Sequence, residues 1–494
     1  MDWLQNPEFL ARAQFGFIAM FHIMWPPLTI GLALVLFGME AAWVKTKNVF
    51  YFHQVKFWTK LFLINFGVGV ISGIPMEFSF GTNWGPFSTS AGDFMGNILG
   101  FETAMAFMLE AGFLGIMLFG WGRVGPKMHL FATSMVAFGS TLSAFWIMVA
   151  NSWMQTPAGV KLVDGKFAIT NWYDAVFNPD LPYGFGHMFT AAIELSLVVM
   201  AGVSAYYLLK KRHVDFFRPA FKWAVISLFI VAPLQIFIGD SAGSSLAETQ
   251  PAKLAAIEAH WHTNKPGEGA PWALLAIPNQ KEQKNDWALE IPDGLSMIVT
   301  KTMTGKVVGL DHFKPQDQPP VWIPFYAFRV MVAAGVFVAF MAFWTLWMLW
   351  RKHERMTAAR ISENKWLLRG WLLAVPAIYA AVEAGWMTRE VGRQPWIVYG
   401  MMRTSQGVSN LPADTVLWSL AMYMLFYGVI GVTAFVFAAR MIRKGPSFED
   451  PPGAPGQGGK PEHAAAPKHV PFTPPVAPIA PASVSAKLAV KGGQ

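Results

Sequence analysis

The chain has 494 residues, of which 54% are hydrophobic and only 14% charged, with a formal net charge of +8. That balance is too apolar for a soluble protein of this length and points to a polytopic membrane protein. Cysteine is absent, which excludes disulfides, iron–sulfur clusters, c-type haem attachment and thiolate-ligated haem. Any metal or haem must be held by His, Met, Asp, Glu or Tyr. The basic residues flank apolar runs, so membrane topology explains the positive charge and no nucleic-acid partner is expected.

Taken in chain order, apolar runs long enough to cross a bilayer predict an all-α protein of nine transmembrane helices, at 14–43, 56–79, 96–121, 127–153, 184–209, 220–239, 321–350, 366–389 and 414–440. No basic n-region precedes the first run, so it reads as a retained span and not a cleaved signal peptide. The connections alternate in charge. Lys45, Lys47, Lys56, Arg123, Lys127, Lys210, Lys211, Arg212, Arg218, Lys222, Arg351, Lys352, Arg355, Arg360, Lys365, Arg440, Arg443 and Lys444 gather on one side. The loop 80–95 on the other side has no Lys or Arg. The positive-inside rule makes the basic side cytoplasmic, with the N-terminus outside and the C-terminus inside. Segment 1–239 then carries helices 1–6 and 321–440 carries helices 7–9. Between them lies a polar external loop, 240–320, whose length favours a functional role. The tail 445–494, rich in Pro, Ala, Gly and Lys, is expected to be a disordered cytoplasmic extension.

Ionisable groups at membrane depth are expensive and mark function. His22 falls about two turns into the first span. Glu102 and Glu110 lie in the third, eight residues or about 12 Å of rise apart on a roughly common side. His187 opens the fifth span, Arg329 and Met331 the seventh, and Glu383 and Glu390 lie near the outer end of the eighth. His, Met and carboxylate candidates thus converge on the outer half of the bilayer. Among the other histidines, His53, His129, His213 and His353 fall in or beside inner loops and are expected to be solvated. Imidazole with thioether makes a low-spin haem site of raised potential, whereas a lone His or carboxylate leaves iron an open position. The bland readings are a hydrogen-bonded core histidine for His22, ordinary packing for Met331 and an ion-pathway acid for Glu110. A channel or transporter using Glu102, Glu110 and Glu383, or a cytochrome b passing electrons to a protein partner, remain alternatives.

The motifs Phe21-His22 with Pro27-Leu-Thr, Phe101-Glu102 through Phe107-Met-Leu-Glu110, Gly239-Asp240, Lys253-Leu-Ala-Ala-Ile-Glu258, Phe328-Arg-Val-Met331 and Gly392-Arg-Gln-Pro-Trp396 resemble those of subunit I of the cytochrome bd quinol oxidases, over about residues 1–440. The resemblance implies an electrogenic, non-pumping quinol:oxygen oxidoreductase of the bacterial inner membrane. It implies low-spin haem b, high-spin haem b, and haem d or a further haem b in its place. His187 and Met331 match the axial ligands of the low-spin haem. His22, Glu102 and Glu390 match groups around the two high-spin haems, with the iron that each serves left open. Lys253 and Glu258 match residues of quinol binding and oxidation, Glu110 an acid on the proton route, Arg329 and Arg393 basic residues near the haems, and Trp386 an aromatic near the electron path. Implied partners are quinol, oxygen, the lipid bilayer and a second membrane subunit (subunit II), with room for a small single-span subunit. The flanks of His187, Gly-Phe-Gly-His-Met, follow no strict motif, so its match rests on position. The stretch from Glu258 to the seventh span is short, as in the cyanide-insensitive branch. Lys253 and Glu258, five residues apart, are also spaced to pair with each other on a helix.

Overall fold

A computed structural model describes residues 2–350 and 364–451. Among these, nine helical segments are long and apolar enough to cross a membrane. The first span is two helices, α1 (Pro7–Ile23) and α2 (Pro26–Thr46). The single run expected over 14–43 breaks after His22 because Pro26 and Pro27 have no N–H with which to continue the hydrogen-bond ladder of α1. Asn65 secures the break, donating to the Trp25 carbonyl at 2.5 Å and to Thr29 Oγ1 at 2.6 Å. The second span is α3 (Val49–Thr82). The third comprises α4 (Gly85–Phe101), a π-helical turn (Glu102–Phe107) and α5 (Met108–Phe119).

The fourth span is α6 (Pro126–Gln155), followed by a β1–β2 hairpin (Val160–Val163, Lys166–Ile169) and the short α7 (Trp172–Val176). Next come α8 (Leu181–Leu209) and α9 (Val214–Thr249), which continues past the position, 239, where the apolar run ends. The segment that follows is folded: α10 (Pro251–Glu258), an antiparallel β3–β4 hairpin (Trp272–Asn279, Lys284–Ile291) and α11 (Gly294–Thr300). The last spans are α12 (Trp322–Trp350), α13 (Lys365–Val391) and, after a small β5–β6 hairpin (Trp396–Val398, Met402–Arg403) and α14 (Thr404–Gly407), α15 (Ala413–Lys444).

Helix α8 lies deepest, packed against α2, α6, α9 and α13. Its residues from Leu195 to Ala205 are all buried, a continuous stretch of small and aliphatic side chains. By contrast α9, α12 and α15 leave Phe229, Ile230, Phe237, Phe340, Phe343, Val432 and Phe435 exposed. An apolar exterior on long helices is the inverse of a soluble fold and suits lipid or another membrane subunit. Arg351, Lys352, Arg355 and Arg360, His353, and the expected tail beyond residue 451 lie outside the described residues.

The structure corrects one histidine. His129, expected in a solvated loop, is only 1% exposed. It sits in the first turn of α6, inside the bundle, with Nδ1 2.6 Å from Glu40 Oε1 of α2 and Nε2 3.1 Å from the Met117 carbonyl of α5. The helix begins at Pro126, so charge patterning places its start well while saying nothing of which face His129 occupies.

Candidate functional site

Two histidines and a methionine occupy positions that their neighbours leave open. His187, in the second turn of α8, lies against Gly239 of α9, where a Cβ would fall 3.2 Å from the ring's Cε1. Its Nδ1 is buried with no hydrogen-bond partner among the described residues, and its Nε2 lies 3.4 Å from Gln235 Nε2. Met331 of α12 has the same relation to α13: a Cβ on Gly385 would sit 3.1 Å from Sδ. Helices α8, α9, α12 and α13 pack on one another, so one four-helix unit holds both candidate ligands. Met331 lies ten residues into its helix and not at the start. His22, at the end of α1, has Nδ1 3.0 Å from Ser72 Oγ of α3.

The acids of the third span both turn to α6. Ser143 Oγ donates to Glu102 Oε1 at 2.6 Å, and Ser140 donates to Glu110, which is buried. Eight residues of regular α-helix would set the two carboxylates about 80° apart. The π turn inserts the equivalent of one residue and returns them to a common side. Glu383 is held differently: neither carboxylate oxygen finds a partner among the described residues. A buried acid without a partner is costly.

Glu390 is the centre of a polar network. Its Oε1 accepts from Asn151 at 2.8 Å and from Gln155 at 3.2 Å, both on α6, and its Oε2 accepts from Arg393 at 2.5 Å. Two further nitrogens of Arg393, Nε and Nη1, are buried and without a partner among the described residues. Arg389 donates to Asn151 Oδ1 at 2.6 Å and to Asp180. Gln155 also reaches the external segment: its Oε1 accepts from Lys253 Nζ at 2.5 Å and from Gln250 at 3.0 Å. The stem of Lys253 crosses Gly392, where a Cβ would stand 2.8 Å from its Cγ, so the glycine after Val391 admits the lysine. Burial holds the Lys253 ammonium well below its ordinary range, with Arg389 adding repulsion and Asp180 opposing it.

Lys253 and Glu258 do not pair. Five residues along α10 turn the two side chains about 140° apart, and Glu258 faces the other way. It accepts from Arg329 Nη2 at 2.7 Å and from Trp272 Nε1 at 3.1 Å. Arg329 also donates to the carbonyls of Ala273 at 2.6 Å and Ile257 at 3.3 Å, and its guanidinium lies 4.5 Å from the Phe325 ring centre. It therefore clamps α10 and β3 to α12. Burial raises the Glu258 carboxyl above its ordinary value, against the pull of Arg329. Asp240 of the Gly239-Asp240 motif accepts from Lys301 at 2.7 Å, a half-exposed pair of little energetic weight. Trp386 packs with the cluster of Trp153, Met148 and Val398, behind the network.

Sequence reasoning missed Asn151, Gln155, Gln250, Arg389 and Asp180. The first two sit at the end of an apolar run, spaced four residues apart and so on one helical face. That spacing was the available signal.

A family profile described as cytochrome bd terminal oxidase subunit I matches residues 10–446. Over 452 residues the chain is 35% identical to a cytochrome bd ubiquinol oxidase subunit 1 of Bacillus subtilis (strain 168), covering 89% of this chain and 94% of that protein. It is 32% identical over 507 residues to a cytochrome bd-II ubiquinol oxidase subunit 1 of Escherichia coli (strain K12), covering 89% and 96%. The fold matches a chain of the bd oxidase structure from Geobacillus thermodenitrificans with a TM-score of 0.82 at 31% identity, over 90% of this chain and 99% of that one.

Proposed function

The chain belongs to the cytochrome bd terminal oxidase subunit I family, a quinol oxidase subunit of the bacterial inner membrane, and from that premise we propose how its residues divide the work. Quinol is oxidised at the external segment 240–320, oxygen is reduced in the outer half of the bundle, and protons for that reduction come from the basic, cytoplasmic side. The N-terminus lies outside. The observation that carries this reading is Gln155, which joins Lys253 on one side to Glu390 on the other.

The donor set suits haem: two imidazoles, a thioether and several acids, with buried polar atoms at His187, Glu383 and Arg393 that find no protein partner among the described residues. His187 and Met331 would hold the low-spin haem b. His22, Glu102 and Glu390 would stand around two high-spin haems, high-spin haem b and haem d or a second haem b, with Glu383 as a further free carboxylate. When bound, haem supplies the electron relay from quinol to oxygen.

The side chains supply the rest. Glu258, held by Arg329 and Trp272, takes a proton from the quinol hydroxyl, because its raised value brings it nearer the range of a working base. Lys253, a buried amine with its proton weakly held, donates a hydrogen bond to a quinol oxygen. Arg393, bonded to Glu390, and Arg389, bonded to Asn151 and Asp180, set a positive field at the oxygen-reducing end. Glu110, deeper in the bundle than Glu102, passes protons outward. Protons and electrons reach the site from opposite faces, so charge separates without a pump. Subunit II covers part of the exposed apolar surface.

The test is a dithionite-reduced minus air-oxidised spectrum of the purified complex, repeated with carbon monoxide. Haem bands with a CO-sensitive fraction are expected. A colourless protein would overturn the oxidase reading and return the membrane acids to an ion path.

A further inference from the structure

Helix α6 carries more than the site. At 100° per residue, His129, Thr133, Ser140, Ser143, Asn151 and Gln155 fall within about 120° of arc and span roughly 39 Å of rise. Each of them is bonded to a membrane acid: His129 and Thr133 to Glu40, Ser140 to Glu110, Ser143 to Glu102, and Asn151 and Gln155 to Glu390. Three of these acids already have roles. Glu40 and His129 do not.

Hydrogen-bond accounting settles what the pair holds. The Met117 carbonyl can only accept, so His129 Nε2 carries a proton and donates it there. His129 Nδ1 and Glu40 Oε1 stand 2.6 Å apart, a distance that two bare acceptors do not adopt. A second proton therefore lies between them, as imidazolium beside carboxylate or as neutral imidazole beside carboxylic acid. Thr133 Oγ1 donates to the remaining oxygen, Oε2, at 2.6 Å. Glu40 is fully buried and His129 nearly so. The ring is covered by Trp121 at 3.8 Å between centroids, and Lys56 Nζ lies 5.3 Å over the Trp121 face. The pair thus sits one aromatic layer beneath the basic face, on the same side of α6 as Glu110.

We propose that Glu40 and His129 form a proton-loading site at the basic end of α6, which supplies Glu110. This rests on the reading of Glu110 as a proton relay. Reducing one oxygen to two waters takes four electrons, from two quinols, and four protons. For each proton the pair gives up the one shared between Nδ1 and Oε1 toward Ser140 and Glu110. It is left one charge more negative, and it takes one proton from water at the basic face to return to its starting state. Thr133 and Ser140 are two turns apart, about 10 Å, a gap past the buried Val136 that the proton must cross through transiently admitted water. A mere clamp between α2, α5 and α6 would need no ionisable pair, since apolar packing serves as well or better.

The experiment uses the holo complex in vesicles, with Glu40→Gln and Thr133→Val read for haem spectrum, thermal midpoint, oxygen consumption per haem, its solvent deuterium isotope effect, and proton uptake from the basic side. Glu40→Gln is expected to keep its haem spectrum, to lose at least tenfold in turnover, to show a larger isotope effect and to lose proton uptake in step. Parental turnover per haem, with only a lower thermal midpoint, would make the pair a clamp and overturn the proposal. Should Glu40→Gln fail to assemble, Thr133→Val decides: it leaves the His129–Glu40 contact in place, and a several-fold slower turnover supports the relay while an unchanged one overturns it. Glu110→Gln separates the two readings. Parental turnover there removes the role of Glu110 itself, whereas a slow Glu110→Gln beside a fast Glu40→Gln removes only the loading site.

Discussion

Lys253 and Glu390 bind opposite ends of one amide: Gln155 Oε1 accepts from Lys253 Nζ at 2.5 Å, and Gln155 Nε2 donates to Glu390 Oε1 at 3.2 Å. The amide keeps the amine and the carboxylate close without a direct contact between them. Lys253 stays with Gln155, and Glu390 stays with Arg393. A change in charge at either end is felt at the other through a buried, low-dielectric contact.

Lys253→Met tests the cost of that arrangement. The folded value of Lys253 is depressed, chiefly by burial. A depressed value means stability that is present at high pH and lost as pH falls through the folded value. The parent complex is therefore penalised at neutral pH and below, and methionine removes the penalty. The expected result is a thermal midpoint at pH 6 no lower than the parent's, with the difference shrinking toward the ordinary lysine range, while quinol oxidation is lost. A midpoint that drops sharply at every pH would mean that Lys253 is a structural ion-pair partner.

Glu258→Gln should lower quinol turnover by about 10²-fold and leave carbon monoxide binding unchanged. In the parent, burial raises the carboxyl, so the proposed proton-accepting carboxylate is lost as pH falls, at higher pH than for an ordinary glutamate. The acid limb of the pH–rate profile should carry that signature and vanish in the variant. In stability the sign reverses: a raised value favours the protonated fold, and that contribution is lost as pH rises above the carboxylate range. Normal turnover in Glu258→Gln would leave only the clamp to Arg329.

The nine spans among the described residues were legible because hydropathy is summed over long runs. The break after His22 was written in Pro26-Pro27, and reading 14–43 as one run overlooked it. The π turn at Glu102 has no compositional mark, because it depends on how α4 and α5 pack against α6. The solvated reading of His129 failed for a related reason. Proximity to basic residues reports depth along the membrane normal, but inward or outward orientation is set by helix rotation, and the Glu40 that pairs with it belongs to another span. Lys253 and Glu258 read as a pair in sequence, but five residues of helix turn them apart, and tertiary partners, Gln155 and Arg329, hold each of them.

Met331→Leu should remove the low-spin haem signature and quinol oxidation while high-spin haem persists. A thioether-to-isobutyl exchange preserves volume and costs less than about 1.5 kcal/mol in a packed core, so the complex should still assemble. An unchanged reduced-minus-oxidised spectrum would end the assignment of Met331 as ligand.

Gly385→Ala and Gly239→Ala probe the same haem from its protein neighbours. The added methyl would stand 3.1 Å from Met331 Sδ in one and 3.2 Å from His187 Cε1 in the other, closer than carbon normally packs. Overpacking of this kind costs about 1–3 kcal/mol, and here the atoms that must yield are the candidate ligands themselves. Both variants should therefore shift or broaden the low-spin band and lower its midpoint potential. Gly92→Ala, on α4 with nothing within 4 Å of its added carbon, is the matched control. A helix-interior alanine gains up to about 1 kcal/mol over glycine, so it should leave the spectrum alone and hold or raise the thermal midpoint. If all three behave alike, His187 and Met331 are not positioned by these glycines, and the close approach of α8 to α9 and of α12 to α13 has some other purpose.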